Sequence, residues 1–184
     1  MIDLIIKVAT GVRAAIALAA LAFGGTLLFR LGPYSDLRAL LNDSSLPEEA
    51  ITSPDRFAEI LEALGATGRA TYLQFQIWDL LNPVLIGGAG ALLLGWLLKR
   101  GNRDTSSWRL VVLFPVVLLA ADLLENLVIA VGVGAFPDRT LIGAALPLVT
   151  ATKFGAAGAT FVAAILLSLA WLRNWRSGVP RRVT

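Results

Sequence analysis

The sequence predicts an all-α, polytopic membrane protein: four transmembrane helices in one antiparallel bundle, with short amphipathic helices in the first extracytoplasmic loop. Three observations carry that expectation. Of 184 residues, 57% are hydrophobic and only 16% charged, whereas a soluble domain averages about 25% charged and about 45–50% apolar. Four apolar runs each reach the ~20 residues that a helix needs to cross a bilayer. Within the third run, the polar residues Asp122, Glu125 and Asn126 recur at i, i+3 and i+4, which places them on one helix face. In a bilayer that face must look inward.

The absences narrow the chemistry. The chain has no cysteine and no histidine. That excludes disulfides, thiolate catalysis, iron–sulfur clusters, a Ser-His triad, His-bound haem and His-containing zinc sites. Acid–base chemistry would have to use Asp, Glu, Lys or Tyr, and any metal would need oxygen ligands. No cofactor and no metal are expected. The net charge is only +3, and membrane topology accounts for the basic residues, so no nucleic-acid partner is expected either.

The first segment covers about 8–29. Its Gly11, Ala15, Ala19 and Ala20, Gly24 pairs form small-xxx-small ladders of the kind that let helices pack closely in lipid. A signal peptide is the rival reading, from the basic start and Ala20-Leu21-Ala22; the ladders favour a retained helix. Residues 30–70 form a polar outer loop. Inside it, Ser53-Pro54-Asp55 is a helix start, with a capping hydroxyl, a first-turn proline and an acid at the positive dipole end. Phe57, Ile60, Leu61 and Leu64 follow at helical spacing, with Gly65 as a stop. Ser35 to Leu41 is a shorter amphipathic piece.

The second segment covers about 72–98. Its first half holds Gln74, Gln76, Asp79 and Asn82, and Pro83 is expected to kink it and free the Asp79 carbonyl. Gly87, Ala91 and Gly95 form another ladder. The third segment covers about 110–136, bent near Pro115, and a tight turn follows at Pro137-Asp138-Arg139-Thr140. The fourth covers about 141–172, with Lys153 and a Gly155, Ala159, Ala163 ladder. The tail is expected to fray after Pro180.

Charge sets the orientation. Ten Lys/Arg fall at the amino end, in the 99–109 turn and in the carboxyl tail; the 30–70 loop and the 137–140 turn hold five, against eight acids. The positive-inside rule then puts both termini in the cytoplasm of a multi-pass protein of the inner (plasma) membrane. Trp96, Trp108, Trp171 and Trp175 fall at the same proposed inner interface.

In that topology Asp79, Asp122, Glu125 and Lys153 lie at similar depths, in the outer half to the middle of the bilayer. Each charge facing lipid costs about 2.5–3.5 kcal/mol on insertion scales, so the four are expected to converge inside the bundle. Lys153 can offset one acid. The others must share a proton or sit in a hydrated cavity. Asn82, Asn126, Gln74, Gln76, Thr150 and Thr152 are candidate hydrogen-bond partners, and Trp78 is expected to roof the site. The bland alternative is polar glue that only fixes helix register.

Tyr72 and Trp78-Asp79-Leu80-Leu81-Asn82-Pro83, together with Ala121-Asp122-Leu123-Leu124-Glu125-Asn126, resemble a group of uncharacterised four-helix membrane proteins. In that group an Asp-x-x-x-Pro helix precedes one bearing Asp-x-x-Glu-Asn, and a lysine recurs in the last helix. The resemblance covers segments two to four. Where the group commonly has an aromatic before the proline, this chain has Asn82. The resemblance implies the same four charged residues and no particular activity.

Three functions compete. The first is a site at Asp79, Asn82, Asp122, Glu125, Asn126 and Lys153, with Trp78 and Gln76, for a lipid or other hydrophobic molecule with a polar or cationic head. As an enzyme such a site would use one acid as general acid and another as general base, for isomerisation or hydrolysis; no nucleophile motif accompanies it. The second is a proton- or cation-coupled transporter, although no internal repeat is visible. The third is an accessory subunit, a homodimer or part of a larger membrane complex, with membrane lipids as its other partners.

Overall fold

A computed structural model describes residues 1–42, 45–138 and 143–176. Among them every regular element is helical: α1 (Ile2–Val8), α2 (Gly11–Leu31), α3 (Tyr34–Leu40), α4 (Pro54–Asp79), α5 (Leu81–Arg100), α6 (Leu113–Ala135) and α7 (Leu146–Arg176). Short 3-10 turns at Pro47–Glu49, Ser107–Val112 and Gly143–Ala145 complete the set. Four stretches are long and apolar enough to cross a membrane: Gly11–Leu31, Pro54–Arg100, Ser107–Ala135 and Leu146–Arg176. The tail beyond Arg176, the start of segment four at 141 and the second half of the 137–140 turn lie outside the described residues.

Prolines explain where helices begin. Pro54 is the first residue of α4, Pro147 the second of α7, and Pro83 and Pro115 the third of α5 and α6. First-turn N–H groups have no intrahelical acceptor, so a residue without one costs nothing there. The expected kink at Pro83 is a break in the span three residues before it, at Leu80, whose N–H bonds the Ile77 carbonyl at 3.4 Å, and α5 starts from there. The expected bend at Pro115 is likewise a helix start, preceded by the 3-10 turn.

A separate short helix, α1, precedes the first segment. Thr10 takes extended angles and its Oγ1 accepts from the Arg13 N–H at 3.2 Å, so α2 starts at Gly11. In α4, Ser53 Oγ accepts from Arg56 N at 3.2 Å, and Phe57, Ile60, Leu61 and Leu64 are all buried. Gly65 breaks the helix with φ +62°, a conformation that glycine adopts without a Cβ clash. The helix then resumes, so residues 66–71, expected in the outer loop, belong to the same rod as Asp79. Arg69 Nη1 donates to the Leu61 carbonyl across the break at 2.9 Å.

Two apolar clusters hold the ends. One packs Leu28, Leu37, Leu46, Phe57, Ile60, Tyr72, Phe75, Ile129 and Leu146; the other packs Ile6, Leu94, Leu97, Leu98, Val112 and Leu167 with Trp96, Trp108 and Trp171 around them. Half of α6's apolar window is buried, against 11% for α2 and 17% for α7, so α6 is the central helix. A Cβ on Gly87 would lie 2.9 Å from the Pro115 carbonyl oxygen, so this glycine lets α5 and α6 touch. The other ladders are corrected in part: Ala15, Ala19, Ala20 and Gly155 are exposed, and a Cβ on Gly155 would meet nothing within 4 Å, whereas one on Gly24 would run into Leu85 and Ala163 is buried.

Candidate functional site

The inward face of α6 sets the site. Asp122, Glu125 and Asn126 are buried, while Leu124 and Leu127 on the opposite face are 48% and 58% exposed. Lys153 of α7 reaches this face. Its ammonium donates to Glu125 Oε2 and lies 3.6 Å from Asp122 Oδ1. Thr150, one turn earlier on α7 and fully buried, donates to the other Glu125 oxygen. Asn126 Nδ2 donates to Asp79 Oδ2 at 3.0 Å, tying α6 to the end of α4. The four charges expected to converge do converge.

A segment that the sequence reading left out completes the cluster. The Pro47–Glu49 turn lies against it, and Lys153 Nζ donates to the Glu48 carbonyl at 2.8 Å. Tyr72 donates to Glu48 Oε2. The second carboxyl oxygen, Oε1, is buried with no partner among the described residues. Burial, reinforced by the Asp79 and Glu125 charges and opposed by the Tyr72 hydrogen bond, pushes the Glu48 carboxyl up to about 8. Glu49 is held by Tyr34, by Arg38 Nη1 at 2.9 Å and by the Leu46 N–H at 2.9 Å. Burial and the hydrogen bond to Glu49 push the Tyr34 hydroxyl up to about 12, so it remains a donor. The signal for this turn was slight: an apolar Leu46-Pro47 pair followed by two acids inside a polar loop.

The cluster borders a cavity of about 530 Å³. Glu48, Glu49, Asp79, Asn82, Asp122 and Lys153 form its polar lining; Phe29, Phe75, Ile86, Leu118, Phe154 and Ala157 form the apolar part, with Tyr34 between. Its size falls in the ~300–1,000 Å³ range of small-molecule sites. Not every candidate reaches it. Trp78 does not roof the site: it is 52% exposed, on the outward side of α4 next to the buried Asp79. Gln74 and Thr152 are exposed as well. Gln76 is buried at 4% exposure but lies outside the lining, and both its amide atoms lack partners among the described residues. Among the described residues no group of three His, Cys, Asp or Glu side chains is placed to hold a metal ion.

No protein family, curated protein or solved structure matches this chain. One ammonium faces several carboxylates, and the surplus acceptors open on an apolar chamber.

Proposed function

We propose that this is a multi-pass integral membrane protein that holds a hydrophobic molecule, such as a lipid, by a polar headgroup. The observation that carries this reading is the two-sided cavity: carboxylates and a lysine on one part of its lining, aromatic and aliphatic side chains on the other. Buried charges in a membrane protein face the interior or a hydrated space and mark function by default. Purely structural glue needs no chamber beside it.

The helices form an antiparallel bundle in the plasma membrane with both termini in the cytoplasm. In support, α1, the end of α5, the start of the third span and the end of α7 meet at one end: Arg109 bonds Asp3, Lys99 Nζ reaches the Lys7 carbonyl at 3.4 Å, and Asn174 donates to the Gly101 carbonyl at 3.1 Å. Basic residues and tryptophans gather there, with Arg100 over the Trp96 ring and Arg103 over the Trp108 ring. This matches a cytoplasmic interface.

The test is native mass spectrometry with lipidomics of the purified protein, wild type against the double variant Asp79→Asn, Asp122→Asn. The wild type carries a co-purifying hydrophobic species that the folded variant loses. Identical cargo in both, or none in either, contradicts the reading. A second reading, assembly with another membrane chain or a second copy, draws on the outward-facing small residues of α2 and α7. A strictly monomeric mass in mild detergent would contradict that one.

A further inference from the structure

We infer that the headgroup taken by this cavity is a protonated amine, seated between Glu48 and Asp79, and not a phosphate or carboxylate. The inference rests on the cavity reading above and adds the charge of the occupant. The lining holds four carboxylates, those of Glu48, Glu49, Asp79 and Asp122, and one ammonium. Glu49 is matched by Arg38. Lys153 is already committed, with hydrogen bonds to Glu125 and to the Glu48 carbonyl and an ion pair to Asp122. An ammonium has three donors; two are hydrogen-bonded here and the third side faces Asp122 at 3.6 Å.

Apart from the Asn82 amide, unused capacity on the polar lining is therefore acceptor capacity. Glu48 Oε1 is buried with no partner among the described residues, and once its proton is released it is an open acceptor for a cation. Asp79 is bound at Oδ2 by the neutral Asn126 amide. The Tyr34 hydroxyl already donates to Glu49. A phosphate or carboxylate entering this space would meet like charge and few free donors. An ammonium would supply the missing donors, let the neighbouring carboxylates ionise together, and lie near aromatic faces that favour cations. Phe29, Tyr34, Phe75 and Phe154 supply those rings. An alkyl chain attached to the amine would lie against Ile86 and Leu118.

The experiment compares dodecylamine, dodecanol and dodecyl phosphate, matched in chain length, binding to the full-length protein in maltoside micelles. Native mass spectrometry reads occupancy after each probe's micelle partition is subtracted. Dodecylamine should bind at one per chain and more tightly than the other two by roughly tenfold or more, the scale of charge-assisted hydrogen bonds. Glu48→Gln and Asp79→Asn should each reduce the ratio of amine to alcohol occupancy; circular dichroism identifies any variant that fails to fold, and either variant alone suffices. Equal binding of amine and alcohol, preference for the phosphate, or amine preference that survives both substitutions would overturn the inference and leave the cavity reading standing. If none of the three probes binds, the cavity reading falls with it.

Discussion

Lys153 on α7 donates to the backbone carbonyl of Glu48, a residue 105 positions earlier in the chain, at 2.8 Å. The same ammonium bonds Glu125 of α6. One side chain thus joins two helices and the turn beside the cavity, so its loss should loosen all three. Lys153→Met removes the cation and leaves Glu125 buried without its partner. Breaking one side of a buried pair costs about 3–5 kcal/mol. The expected result is a marked fall in thermal stability in detergent, partly restored by adding Glu125→Gln, which removes the stranded charge. A single variant as stable as wild type would show that the pair holds nothing together.

Glu48 gives the turn a pH dependence whose sign follows from linkage. Burial raises its carboxyl from 4.5 to about 8 in the folded protein. Between those values the unfolded chain has released the proton while the folded chain still holds it. Stability contributed by the neutral form is therefore complete below pH 4.5, declines as pH rises, and levels off above 8. Glu48→Gln mimics the neutral form and should flatten that part of the profile. Unfolding measured from pH 5 to 9, wild type against variant, checks it; parallel profiles would contradict the burial of this carboxyl.

The glycines divide into used and unused. A Cβ on Gly87 would fall 2.7 Å from Leu119 Cβ and 2.9 Å from the Pro115 carbonyl, so Gly87→Ala should cost about 1–3 kcal/mol by overpacking. A Cβ on Gly155 would meet nothing within 4 Å. Gly155→Ala should be neutral or gain up to about 1 kcal/mol from helix propensity. Paired thermal melts of the two variants decide this, and equal effects would contradict the packing assignment.

Gln76 is buried with both amide atoms lacking partners among the described residues. A buried polar group without partners costs about 1–3 kcal/mol. Gln76→Met, similar in length and apolar, should therefore raise stability by an amount of that order. A loss instead would mean that the amide is satisfied by a bound molecule or by water.

Much of this structure is legible in the sequence, for a physical reason. The inward face of α6 and the role of Lys153 follow from helical spacing and the cost of charge in lipid, and both are local properties. Ser53, Pro54 and Gly65 declare themselves through capping and backbone chemistry. Pro83 points to the break at Leu80 because a proline leaves the carbonyl four residues before it, that of Asp79, without its helical partner. Glu48 was missed because its burial depends on Lys153 and Tyr72, which no local pattern links to it. Trp78 was misplaced because successive helix residues point about 100° apart, so the neighbour of the buried Asp79 faces out.

The most direct test of the occupied cavity is photolabelling with a long-chain alkyl amine that carries a diazirine in its chain, followed by mapping of adducts on proteolytic fragments. Adducts should concentrate on Ile86, Leu118 and Phe154, which line the cavity, and should disappear with excess unlabelled amine. Adducts spread over outward residues such as Leu124, Leu127 and Phe161, with none at the lining positions, would contradict it.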